Sequence, residues 1–427
     1  MNLKLSALAP FSRDTRLLFA VSGMISVSFF GIQMLLKVLY VLRLGYGPEY
    51  VGWFLAASSL GFMAMGIPSG ALGNRYGLRT VMLVGGAIVV IGMAMLPLSE
   101  SMPLWGDAAW PIVSQVVLTV GWSLMTVNLV PALTAVAAEQ NRNSAFSMNA
   151  VLQGAGTFVG TLVGGLLPGL FANLLGESVD APAPYRASLW VGAVLALVAV
   201  TPLWFIRPIA PSVHSKQAKG RGPFPFWPVA TVIAYVYLRH AGWATCQAFF
   251  NAYLDTDLRL SAASIGLISG VGQFLAILAP LLNTRLAARH SNGWTLIVTT
   301  LGVAASLLPL ALVHHWAAAG LGRLVCVVAS AIWLPALQSF HMERVDPQWR
   351  SLAYGAVAMG MGLGFSSTSL VGGYVIAARG YRTLFTIGIF LTLASATLLW
   401  GILRRARGTA TPVPQPGARS PAGVRDG

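Results

Sequence analysis

Apolar runs of about 20 residues, each ended by glycine, proline or charge, recur from residue 17 to residue 403. A helix rises 1.5 Å per residue, so a run of that length crosses the ~30 Å hydrocarbon core of a bilayer. Twelve such runs begin near residues 17, 50, 80, 110, 144, 187, 227, 262, 294, 317, 351 and 381. The pattern predicts an all-α integral membrane protein of about twelve transmembrane helices. It divides into a short N-terminal segment (1–15), six spans (16–206), a linker (207–226), six more spans (227–403) and a tail (404–427). The linker carries Lys216, Lys219 and Arg221 without helical periodicity. The tail is basic, with Pro412, Pro414, Pro416 and Pro421, and is expected to be disordered.

The two sets of spans repeat each other. Pro131-Ala132-Leu133-Thr134 returns as Pro335-Ala336-Leu337-Gln338, and Val163-Gly164-Gly165 returns as Val371-Gly372-Gly373. Tyr185-Arg186 returns as Tyr381-Arg382, and Gly192, Thr201 and Trp204 return as Gly388, Thr397 and Trp400. The offsets of 204, 208 and 196 residues differ only by loop lengths. A duplicated six-span unit leaves this signature, so two pseudo-symmetric six-helix bundles are expected.

Composition agrees. The 427-residue chain is 56% hydrophobic and 9% charged, with mean hydropathy +0.72, whereas soluble proteins carry about 25% charged residues. The net charge of +15 invites a nucleic-acid reading. The cations, however, sit in short loops between spans, where they set orientation. With the N-terminus inside, inner segments hold 19 of the 27 Lys and Arg and outer loops hold five. Both termini are therefore expected in the cytoplasm, with the chain multi-pass in the plasma (inner) membrane. Cys246 and Cys326 lie inside apolar runs, which argues against a disulfide framework or a thiolate metal site. Arg13, Asp14 and Arg16 precede a run too long for the apolar core of a cleavable signal.

Between the second and third runs lies Gly70-Ala71-Leu72-Gly73-Asn74-Arg75-Tyr76-Gly77-Leu78-Arg79-Thr80. It resembles the loop signature of the major facilitator superfamily, Gly-x-Leu-Ala-Asp-Arg-x-Gly-Arg-Lys, at Gly70, Leu72, Arg75, Gly77 and Arg79. Asn74 replaces the family's Asp and Leu78 its Arg. The resemblance covers roughly residues 14 to 405 and implies gating roles for Gly70, Asn74, Arg75, Gly77 and Arg79. It also implies that carboxylates at the inner ends of spans pair with the loop arginines. The candidates are Glu139, followed by Arg142, and Glu343 and Asp346, followed by Arg350. Span five carries Gly156, Gly160, Thr161, Gly164 and Gly165, similar to the Gly-x-x-x-Gly-Pro-x-x-Gly-Gly motif of drug–proton antiporters. The same spacing is a plain helix-packing device. Val117, four residues before Gly121, stands where those antiporters have an arginine.

None of the 12 Asp and Glu lies deep in a span, but Lys37, Arg239 and Arg323 do. An ionisable residue in a span is costly and marks function by default. Lys37 and Arg323 lie near enough to the outer surface to snorkel. Arg239 is mid-span and is the favoured cavity residue. At ~100° per residue, Ser22, Ser26, Gln33, Lys37 and Tyr40 share a stripe. His240, Gln247 and Asn251 share a face flanked by Arg239 and Trp243. Gln115, Trp122 and Thr126 align, as do Arg323, Ser330 and His341. Hydrogen bonding between packed helices is the alternative use of such groups. In the superfamily, spans one, four, seven and ten line the central cavity. The candidate binding set is therefore Gln33, Lys37, Trp122, Thr126, Arg239, His240, Trp243, Gln247, Asn251, Arg323 and Ser330. The expected function is secondary active transport of a small organic solute, anionic or amphiphilic, by alternating access, with efflux slightly favoured. A lipid mover or a facilitative uniporter is the alternative within the class; a membrane enzyme or a non-transporting sensor is the alternative outside it. A monomer is expected in the bilayer, handling a solute and a coupling ion, with no cofactor, metal or nucleic acid.

Overall fold

The computed structural model describes residues 11–101, 108–209, 226–289, 291–344 and 349–408. Most of the linker, the end of the tail, and the side chains of His341, Glu343, Asp346 and Arg350 lie outside the described residues. Among the described residues, twelve long helices follow one another. α1 (Arg13–Ile25, then Met34–Arg43) is joined through a π-helical stretch, Ser26–Gln33. α2 (Pro48–Tyr76), α3 (Leu78–Met95), α4 (Ala109–Val136), α5 (Arg142–Leu175) and α6 (Pro182–Val200) complete the first set. α7 (Phe226–Ala252), α8 (Ala262–Arg289), α9 (Asn292–Leu312) and α10 (Trp316–Arg344) follow. The last helical stretch breaks at Gly380, with φ 79°, into α11 (350–379) and α12 (381–408). Ten continuous helical stretches among the described residues are long and apolar enough to cross a membrane, one of them spanning the break at Gly380. α7 is less apolar, because Arg239, His240, Gln247 and Asn251 lie along it.

Local chemistry sets the helix ends. Ser12 caps α1 by accepting from the Thr15 amide at 3.2 Å, and Pro48 and Pro182 stand in first turns, where a missing N–H costs nothing. Gly77 joins α2 to α3 in a single residue at φ 87°, a conformation that only glycine adopts freely.

The packing defines two ends of the molecule. Toward the end that carries Arg75, the halves have separate cores. One is built on Leu18, Phe19, Leu78, Met82 and Leu133, the other on Tyr235, Trp333, Leu337 and Phe340. Toward the end that carries Arg43, a single core joins both halves. There Leu36, Leu39, Tyr40, Val51 and Phe54 meet Phe249, Phe250, Leu254 and Phe385. Seven consecutive residues of α1, Leu35 to Val41, are buried there. The repeated Val-Gly-Gly triplets make the two symmetric crossings. Gly165 of α5 abuts Ala262 and Gly266 of α8, and Gly373 of α11 abuts Pro48 and Glu49 of α2. A side chain at either glycine would collide with backbone of the opposite half. Toward the Arg75 end, the contacts that join the halves include Ser59 Oγ donating to Gly362 O at 3.2 Å and Gly154 against Ile277. Farther along α2, Ile67 is 84% exposed.

Candidate functional site

Between the halves lies a cavity of about 600 Å³, with walls from α1, α2, α4, α5, α7, α8, α10 and α11. Ligand pockets commonly measure about 300–1,000 Å³. One wall is aromatic: Trp122 stacks on Phe29 at 4.2 Å and meets Phe30 edge-on at 5.1 Å. Trp243 and Phe365, 6.1 Å apart, face in from the second half. Gln153, Gln273, Asn251 and several hydroxyls supply neutral hydrogen-bonding groups.

Among the described lining residues the charged ones are Lys37 and Arg323. They are only 3% and 6% exposed. The ammonium of Lys37 donates to Gln115 Oε1 at 3.1 Å and lies 5.7 Å from the ring of Phe54. The guanidinium of Arg323 donates to Gln247 Oε1 at 2.7 Å and lies 5.1 Å from the ring of Phe250. Each cation is thus oriented by a neutral amide and a ring face, with no carboxylate among the described residues of the cavity wall. The wall is electropositive.

The Arg43 end is closed by an ion pair between the halves. Arg43, at the end of α1, donates to both oxygens of Asp255 at 2.7 Å. Asp255 sits in a π-helical extension of α7, Tyr253–Asp257, and its side chain is 2% exposed. Arg43 also meets Asp180 at 3.3 Å and the ring of Tyr185 at 5.2 Å. Beside this pair, Trp53 Nε1 donates to the Tyr374 hydroxyl at 3.0 Å, again between the halves.

The Major Facilitator Superfamily profile matches residues 18–254 and 238–425. The chain belongs to the major facilitator superfamily. Members of this family are transporters rather than enzymes. Among solved structures, a point mutant of the nucleoside transporter NupG matches with TM-score 0.73 at 14% identity, over 91% of this chain and 99% of that one. A bacterial homolog of the human lysosomal transporter Spinster matches with TM-score 0.72 at 14% identity, over 94% and 100%. A D-xylose–proton symporter matches with TM-score 0.70 at 14% identity, over 91% and 96%. At this identity the likeness shows the fold. No curated protein sequence matches the chain.

Within this transporter fold, Lys37, Trp122, Trp243, Gln247, Asn251 and Arg323 line the cavity. Thr126 lies one turn beyond Trp122 and donates to its carbonyl at 2.8 Å. Gln33 is buried in the π segment of α1 outside the cavity wall, with no partner for its amide among the described residues. Arg239, His240 and Ser330 stand behind the cavity rather than on its wall. The guanidinium of Arg239 lies 4.0 Å from the ring of Trp333 and donates to Ser330 Oγ at 3.0 Å. Trp333 Nε1 donates to the Tyr235 hydroxyl at 2.7 Å, and that hydroxyl shares a hydrogen bond with Thr300. The ring of His240 lies 5.1 Å from that of Trp333. The mid-span cation is the centre of a packed polar cluster inside the second half.

The loop residues are likewise placed. Asn74 and Arg75 are exposed, and Arg75 stacks on neighbouring Tyr76 at 5.3 Å. Arg79 donates to the carbonyls of Leu203 and Trp204 at 3.3 and 2.7 Å, capping the 3₁₀ extension of α6. Glu139, largely in solvent, pairs with the half-buried Arg142 at 3.8 Å. Among the described residues Glu139 makes no ion pair with Arg75 or Arg79, which lie in the same half and are engaged by Tyr76 and by the Leu203 and Trp204 carbonyls. Gly70 packs near Val127, and Gly73 abuts Asn128, whose amide donates to Ser69 O at 3.1 Å. On α5, Gly156, Gly160 and Gly164 abut Gly23, Val27 and Ile32 of α1, while Gly165 crosses to α8.

The cavity also uses residues outside the candidate set. Gln153, Thr157 and Thr161 recur every four residues on α5, and Ser269 and Gln273 do so on α8. These polar stripes are visible in the sequence on helices other than one, four, seven and ten. Phe29, Phe30, Phe62 and Phe365 carried no such signal, because apolar residues fill every span.

Proposed function

We propose that the protein is a secondary transporter of a small organic anion, working by alternating access. The observation that carries this reading is the cavity wall: one cation from each half, aromatic surface, and no carboxylate among the described lining residues. A charge in low dielectric demands an opposite charge or water. An anionic group on the solute meets that demand, and the rings accommodate its apolar body. The charge bias between loops places the Arg75 end in the cytoplasm. The structure then represents an inward-facing state, sealed on the outside by Arg43 and Asp255 and by the joint core. Efflux is the direction slightly favoured, through the span-five glycines alone.

Probes of one shape and different charge test the reading: benzoate, benzyl alcohol and benzylamine, added to the purified protein. A ligand at 100 times its Kd stabilises by about 2.7 kcal/mol, which is readable as a rise in Tm. Benzoate should raise Tm and benzylamine should not. Stabilisation by benzylamine alone would overturn an anionic solute.

A further inference from the structure

We propose that the cavity takes organic dianions and that the protein exchanges one for another instead of returning empty. The proposal rests on the anionic reading above and adds the number of charges and the mode of transport. Lys37 lies on α1 and Arg323 on α10, so each half contributes one cation to the shared wall. Their holders swap roles between counterpart helices. In the first half the cation is on α1 and its glutamine, Gln115, on α4. In the second half the glutamine, Gln247, is on α7 and the cation on α10. An amide oxygen orients a cation but carries no charge to cancel it.

Two positive charges facing one poorly solvated space repel each other and attract anions. A dianion cancels both; a monoanion leaves one bare; an empty cavity leaves two. The difference matters most when the cavity closes at both ends between its two open states. Water is then least available, and a bare charge is most costly. The loaded protein passes through that state neutral in its cavity, whereas the empty one carries two bare cations. Exchange is therefore fast and empty return slow. With aromatic walls, amphipathic dianions fit: aromatic dicarboxylates and aryl phosphate esters share this chemistry.

The test uses the full chain, purified and reconstituted in liposomes, with phthalate, phenyl phosphate and benzoate as probes. At least one dianion should bind about tenfold or more tighter than benzoate, and which one does identifies the acidic group. Its uptake should be about tenfold or more faster into liposomes preloaded with the same unlabelled dianion than into empty ones. Lys37→Gln and Arg323→Gln each remove one charge. Either should lower the dianion-to-benzoate preference about tenfold, and whichever variant purifies folded serves. Equal uptake into loaded and empty liposomes, with dianion binding intact, overturns exchange while leaving the anionic reading standing. Benzoate binding as tightly as both dianions, or an unchanged preference in the folded variants, overturns the charge number. Absence of binding by all three probes overturns both this proposal and the reading beneath it.

Discussion

The Arg43–Asp255 pair is the perturbation that tests how the closed end is held. It is bidentate at 2.7 Å, and the carboxylate side chain is 2% exposed while the arginine is 17% exposed. Removing one partner of a buried pair typically costs about 3–5 kcal/mol. Partial exposure of Arg43 argues for the lower end. The residual contact to Asp180, whose side chain is 87% exposed, contributes at most about 1 kcal/mol. Since the pair joins the two halves, its strength is present only while this end is closed. Asp255→Asn should therefore cost the closed state about 3 kcal/mol, a shift of roughly a hundredfold in the closed-to-open ratio. Spin labels on cysteines at Glu177 and His315, exposed loop positions at this end on opposite halves, would report it as a distance distribution. Cys246 and Cys326 would first be replaced by alanine. Asp255→Asn and Arg43→Gln should each add a longer-distance population, and the charge swap Arg43→Asp with Asp255→Arg should restore part of the short one. If neither single substitution lengthens the distance, the joint apolar core alone holds the end shut, and the reasoning from the ion pair is wrong.

Three further outcomes are expected. Arg239→Gln loses the contact with Trp333, worth about 2 kcal/mol when desolvated. It should lower Tm by a few degrees and leave the affinity of the tightest anionic probe within about twofold; a tenfold loss of affinity would place the side chain on the solute after all. Gly373→Val puts a side chain into the backbone of Pro48 and Glu49. It should add the same longer-distance population as the broken ion pair, and an unchanged distance distribution would show that α2 and α11 are free to slide apart there. Single cysteines at Ser215 and Ser420 should resist a membrane-impermeant thiol reagent in intact cells if the linker and tail lie inside, as the charge bias predicts; labelling of either from outside reverses the orientation.

The number and placement of the spans were legible because the bilayer imposes a length. Each helix must carry about 20 apolar residues between breakers, wherever it packs. The helices begin at Arg13, Pro48, Leu78 and Ala109, within four residues of the positions read from hydropathy. The duplication was legible in residues repeated at offsets that differ only by loop lengths, and the last glycines of its Val-Gly-Gly triplets, Gly165 and Gly373, prove to lie at the two symmetric crossings. Deep cations could be counted but not sorted. Arg323 faces open space and Arg239 faces Trp333 because of what lies across from each, on helices distant in sequence. The stripe extrapolated along α1 lost its phase at the π-helical Ser26–Gln33, where the turn no longer advances by ~100° per residue. Lys37 consequently reaches the cavity while Gln33 and Tyr40 are buried away from its wall. Least legible was the closing pair. Arg43 and Asp255 stand 212 residues apart, one in each half. Nothing local marks either, since a charge at the end of a span reads as an ordinary loop residue until the other half folds against it.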